Sequence, residues 1–192
     1  MRTDYPILVK CPVFLLTLAL GWLAFGQLGQ AAESRLEGEV ERYVKSLRSK
    51  GALQTNERTA WLVYDFTSGK TLVSINENQQ LQAASMIKPY LALAFFHQVR
   101  AGRLIYGSTS RRHMELMIQK SNNASTNWVM RQTGGPVATA ALLKRHYPSL
   151  CRHLHLVEYV PAGGRTYRNL CSAGDYGRFL QSLWSGTLPH SK

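Results

Sequence analysis

The chain has 192 residues, 45% of them apolar, and a formal charge of +12 from 23 Lys and Arg against 11 Asp and Glu. That length suits one domain with a proper core and is too short for two large ones, and the apolar content argues against disorder. The bases are scattered, with no stripe, zinc-finger spacing or RNA-binding motif. This argues against nucleic acid as a partner and favours an anionic membrane, an acidic wall polymer or a carboxylate-bearing small molecule.

In chain order, residues 11–29 (CPVFLLTLALGWLAFGQLG) form an almost uncharged run after Arg2 and Lys10. This reads as a signal peptide, with cleavage near Ala31 or Ala32, or as an uncleaved transmembrane anchor, and it sets a boundary between residues 1–32 and a domain over 33–192. Either reading makes the protein exported: periplasmic or extracellular when cleaved, held in the cytoplasmic membrane when not. Residues 33–50 carry Leu36, Val40, Tyr43, Val44 and Leu47 at helical spacing, with acids early, bases late and Gly51 as a stop. TAWLVYDF and TLVSI then read as two strands joined by the turn Thr67-Ser68-Gly69-Lys70.

Residues 76–84 are polar and irregular. Ser85 opens a long apolar segment ending at Gly102, in which Pro89 is tolerated only in the first turn of a helix. Helices are predicted over 111–120, from Ser125 to Gln132, and over 136–146, with Gly134-Gly135 between the last two. Residues 151–170 read as loop, and a last helix runs from after Ser172 to about Trp184, with Asp175 completing an imperfect capping box. Cys151 and Cys171 read either as a bridge or, preferably, as two separately buried thiols. There is no HExxH, and His153-x-His155 alone does not make a metal site, so no metal or organic cofactor is expected.

The chemistry concentrates on a few side chains. Ser85 and Lys88 lie three residues apart at a helix start, on one face. A serine hydroxyl attacks only when something takes its proton, and a desolvated lysine can do so. Lys88 sits between Ile87 and Pro89 in a nearly all-apolar stretch, where an exposed face is hard to find. Read blandly, the pair is an N-cap serine beside a surface lysine. Ser121-Asn122-Asn123 follows on a later helix, where such clusters often cap backbone. It also offers a second hydroxyl to relay a proton and an amide to hold substrate or Lys88.

Together these motifs resemble the penicillin-recognising serine enzymes, the class A β-lactamases and the related penicillin-binding proteins, whose signature is S-x-x-K, S-D-N and K-T-G. The matching residues are Ser85-Met86-Ile87-Lys88 and Ser121-Asn122-Asn123, within "QAASMIKPYLALAFF" and "MIQKSNNASTNWVM". The resemblance implies an α/β (α+β) fold of the β-lactamase/transpeptidase type, its helical part nearly complete and its antiparallel sheet incomplete. It implies Ser85 as the acylated nucleophile, its N–H as half of an oxyanion hole, and Lys88 as base or proton shuttle. Ser121 becomes the proton relay and Asn123 the substrate-binding amide. Glu158 is the only acid in the stretch where class A enzymes keep their deacylating glutamate, although Ala162, not Asn, stands four residues on; it reads otherwise as an ordinary loop carboxylate.

No K-T-G follows Ser121, only Ser185-Gly186-Thr187. The expectation is a chain truncated before that motif, and an oxyanion donor lost with it would cost about 3–4 kcal/mol of transition-state stabilisation. The function expected is a monomeric serine hydrolase acylated by β-lactams or by cell-wall peptides. The alternatives are a D-Ala-D-Ala carboxypeptidase or transpeptidase, and a non-catalytic, membrane-tethered fragment that binds wall polymer.

Overall fold

A computed structural model describes residues 35–161 and 168–188. The chain divides into two compact units, Met1–Ala52 and Leu53–Lys192. In the first, helix α1 covers 35–49 and ends where Gly51 turns left-handed (φ +70°), which lets the Ala52 N–H reach the Leu47 carbonyl at 2.9 Å. Along its exposed surface, Arg35 pairs with Glu39 at 3.2 Å, one helical turn on.

Membrane tethering has to be corrected. Among the described residues no helix is long and apolar enough to cross a membrane, a task needing about 20 apolar residues in a row. The described part of α1 carries seven charged side chains within 35–49 and cannot serve. The run at 11–29, on which the expected anchor falls, and the expected boundary at 32 lie outside the described residues. The transmembrane reading, the membrane as partner and the membrane-anchored location are therefore withdrawn, together with the tether of the wall-binding alternative.

The second unit is α+β. Strands β1 (Trp61–Asp65) and β2 (Lys70–Ile75) form an antiparallel hairpin with a register shift between Val63 and Tyr64. Asp65 closes its turn by accepting the Thr67 N–H at 2.8 Å and the Ser68 hydroxyl at 2.6 Å, ahead of Gly69 at φ +71°. A second, two-residue ladder pairs β3 (Leu81–Gln82) with β4 (Leu170–Cys171). The sheet is small and open, as expected.

Helix α2 (Lys88–Arg100) is the axis of the unit, with Tyr90, Leu91, Ala94 and Phe95 fully or almost fully buried. Around it pack α3 (Ser108–Gln119), α4 (Asn123–Gln132), α5 (Pro136–His146) and α6 (Ala173–Trp184). Met117, Val129, Met130, Leu143 and Phe179 complete a core that excludes water. α6 approaches β1 so closely that a Cβ on Gly177 would lie 2.0 Å from Leu62 Cδ2. Two helices begin earlier than the hydrophobic periodicity predicts. α3 starts at Ser108, and α4 at Asn123 because the Asn122 side chain accepts the Ser125 N–H at 2.8 Å. Cys151 and Cys171 are buried free thiols; burial first, then the Asp175 charge, pushes them up to about 12 and about 11.

Candidate functional site

Ser85 lies in a single 3-10 turn, Ala84–Ile87, that runs directly into α2. Ala84, immediately before it, is held left-handed at φ +44°, a conformation costing an alanine about 1–2 kcal/mol. The neighbouring ladder holds that turn: β3 pairs with β4, and the Ala83 N–H donates to the Asn169 carbonyl at 2.9 Å. Pro89 lies at the start of α2, where its missing N–H costs nothing.

One turn on from the exposed Ser85, the Lys88 side chain runs inward and is only 3% exposed. Ser121 occupies the bend between α3 and α4, left-handed at φ +52°, a geometry that turns both its hydroxyl and its carbonyl toward the lysine. Lys88 Nζ lies 3.0 Å from Ser85 Oγ, 2.7 Å from Ser121 Oγ, 2.6 Å from the Ser121 carbonyl and 3.2 Å from Asn123 Oδ1. The two hydroxyls are 2.8 Å apart. All four partners of the amine are neutral oxygens, and burial lowers its pKa from the ordinary lysine value. The structure thus brings Ser85, Lys88, Ser121 and Asn123 into one hydrogen-bonded group, from two separate stretches of chain.

Glu158 is reached by a different route. Its carboxylate accepts the Arg168 N–H at 2.9 Å, and its backbone is bound to the side chain of Asn169, which accepts the Val157 and Glu158 N–H groups at 2.9 and 3.1 Å and donates to the Glu158 carbonyl at 2.9 Å. Asn169 is fully buried, and its own carbonyl takes the Ala83 N–H. The loop carrying Glu158 is therefore stitched to the turn carrying Ser85 through one asparagine.

A second stitch joins that loop to α4. Asn127, one turn beyond Asn123, donates to the Val160 carbonyl at 2.7 Å and accepts the Val160 N–H at 2.8 Å. His113 of α3 stacks on Trp128 of α4 at 4.4 Å and reaches Ser125 Oγ at 3.1 Å, which fixes the two helices that flank Ser121. Sequence reasoning missed Asn127 and Asn169. The spacing of Asn123 and Asn127, four apart on one helix face, was the one signal for the first; nothing in the sequence marked the second.

A profile described as "Beta-lactamase enzyme family" matches residues 39–111. No curated protein matches the chain. Among solved structures, a β-lactamase from Xanthomonas campestris pv. campestris superposes with a TM-score of 0.64 at 15% identity, over 83% of this chain and 65% of its own. A variant of the class A β-lactamase of the last common ancestor of Gram-negative bacteria gives 0.56 at 18% identity, over 76% and 62%. A β-lactamase from Streptosporangium roseum gives 0.56 at 16%, over 80% and 63%. The chain thus spans somewhat under two thirds of the length of these structures. The chain therefore has a β-lactamase-like α+β fold, and a β-lactamase family model matches part of it.

Proposed function

We propose that this protein is a serine acyl-transfer hydrolase that β-lactams acylate at Ser85. The observation that carries the reading is the buried Lys88 amine within hydrogen-bond reach of both the Ser85 and Ser121 hydroxyls, with no anion among its partners. Desolvation favours the neutral amine, which has a lone pair to accept the Ser85 proton. In the acylation step Ser85 Oγ bonds to the lactam carbonyl carbon while its proton passes to Lys88 Nζ. The carbon–nitrogen bond then breaks, and Ser121, 2.7 Å from the same amine, relays a proton to the leaving nitrogen. Asn123 holds the lysine through Oδ1 and offers its amide N–H groups to the acyl side chain.

Water must then cleave the ester, releasing the acid and restoring the serine. We assign activation of that water to Glu158, whose loop is tied through Asn169 to Ala83, just ahead of the Ser85 turn. If Glu158 does not serve, the acyl-enzyme persists and the protein behaves as a penicillin-binding carboxypeptidase or transpeptidase. Intact-protein mass after incubation with a penicillin tests both levels. Acylation predicts an adduct that Ser85→Ala abolishes. A decaying adduct that Glu158→Gln makes persistent supports the β-lactamase reading, and one already persistent in the wild type supports the penicillin-binding reading. No adduct on folded protein refutes the proposal.

A further inference from the structure

Between residues 78 and 157 the chain has ten Lys and Arg and a single acid, Glu115. The structure gathers part of this excess at one place, where α2 and α5 end side by side. Gly102, left-handed at φ +70°, stops α2 and turns the chain back, so that Arg103 N donates to the Gln98 carbonyl at 2.9 Å. The Arg103 Nε–H also donates to Gln98 Oε1, which fixes the guanidinium and leaves its terminal N–H groups unspent on Gln98. α5 ends in Lys144-Arg145-His146. Between the two ends lies a groove of about 440 Å³ lined by Gln98, Arg103, Ala141, Leu142, Arg145 and His146.

We propose that this groove is a binding site for a compact polyvalent phosphate of the pyrophosphate class. Two helix C-termini contribute about −0.5 charge each. Arg100, Arg103 and Arg145 exceed that by about two positive charges, and among the described residues no carboxylate pairs with Arg103, Arg145 or His146. A guanidinium grips one oxyanion group through two parallel N–H bonds. Guanidiniums from two elements therefore suit a ligand with two such groups better than a lone carboxylate. Beside the groove the His97 ring packs at a tilt against that of His146, ring centroids 4.2 Å apart, and shares a 2.9 Å hydrogen bond with the Tyr147 hydroxyl. Burial, then the positive charges of His146, Arg103 and Arg100, hold His97 below the ordinary histidine value. A bound polyanion offsets those three charges, so binding favours protonated His97 and tightens as pH falls through its range.

The site is independent of Ser85. Pyrophosphate titrated into the folded full chain at low ionic strength, followed by calorimetry and by NMR of the histidine rings, tests it. Binding should weaken about tenfold or more in the double variant Arg103→Gln/Arg145→Gln. It should change little in Arg112→Gln/Arg131→Gln, which removes the same charge from exposed positions elsewhere. The His97 titration should move upward with ligand. No binding, equal loss in both double variants, or a His97 titration indifferent to ligand would overturn the site, the second outcome reducing it to the general basicity of the surface.

Discussion

Lys88 faces four oxygen acceptors, one more than an ammonium has N–H groups. As the neutral amine it keeps two donors and a lone pair, and a hydroxyl can then donate to it. The rate of Ser85 acylation should therefore rise with pH and level off above the lowered Lys88 pKa. Lys88→Arg, charged at every accessible pH, should slow the reaction by about 10²–10⁴-fold; stopped-flow acylation across pH checks both. The same burial has a signature in stability. A folded-state pKa below the unfolded value of about 10.4 penalises the fold below the folded pKa, and stability is regained as pH rises between the two. Lys88→Met should flatten that rise relative to wild type in urea unfolding. Ser121 offers a cleaner separation of roles, because glycine adopts its left-handed backbone freely whereas it costs alanine about 1–2 kcal/mol. Ser121→Gly should unfold at least as high in urea as Ser121→Ala, while both lose the proton relay and acylate slowly. At this scale the sequence was informative where chemistry depends on local spacing. Ser85 and Lys88 share a helix face, and the Ser121-Asn122-Asn123 cluster stood out by composition. The backbone bend that points the Ser121 carbonyl at Lys88 depends on how α3 meets α4, and no residue type announces it.

Among the elements, the segment 151–161 looked like an unstructured loop because it lacks periodicity, yet it is held by side chains rather than by a ladder. Asn169 makes three hydrogen bonds to it from a fully buried position. Asn169→Ala strands two N–H groups and a carbonyl, and each unsatisfied buried group costs about 1–3 kcal/mol. Val157 and Glu158 are only half-buried, so the expected result is a loss of about 1–3 kcal/mol in urea melts. The Glu158 loop is released from its anchor while the backbone bond from Ala83 remains. Gly177 sets the contact between α6 and β1, and Gly177→Ala should destabilise because Leu62 occupies the space its methyl needs. Thermal melts should show a fall outside the range of an ordinary helix-surface Gly→Ala change, which normally stabilises. The helices themselves were legible from hydrophobic spacing. Their starts were less so, since Asn122 and Gly107 set them by capping and turn geometry, which periodicity does not report.

Across the molecule, the hairpin and α6 leave apolar side chains in water. Phe66 and Trp184 meet at a tilt with ring centroids 5.0 Å apart, with Trp184 75% exposed and Leu183 56%. A two-stranded hairpin is only marginally stable alone, and this one draws on its contact with α6. Such a patch binds apolar dyes and promotes association. Trp184→Ser should lower the binding of a fluorescent hydrophobic dye and raise the soluble fraction at a given protein concentration, without changing Ser85 acylation.

Cys151 and Cys171 give the fold a built-in stopwatch. Their thiolates are suppressed by burial and by the nearby Asp175 carboxylate, so a thiol reagent at neutral pH finds almost nothing to attack until the core opens. The labelling rate of the native protein then measures how often that opening happens. If both cysteines are labelled together, the region around them opens as one cooperative unit; if Cys171 leads, the β3–β4 ladder beside the Ser85 turn frays first.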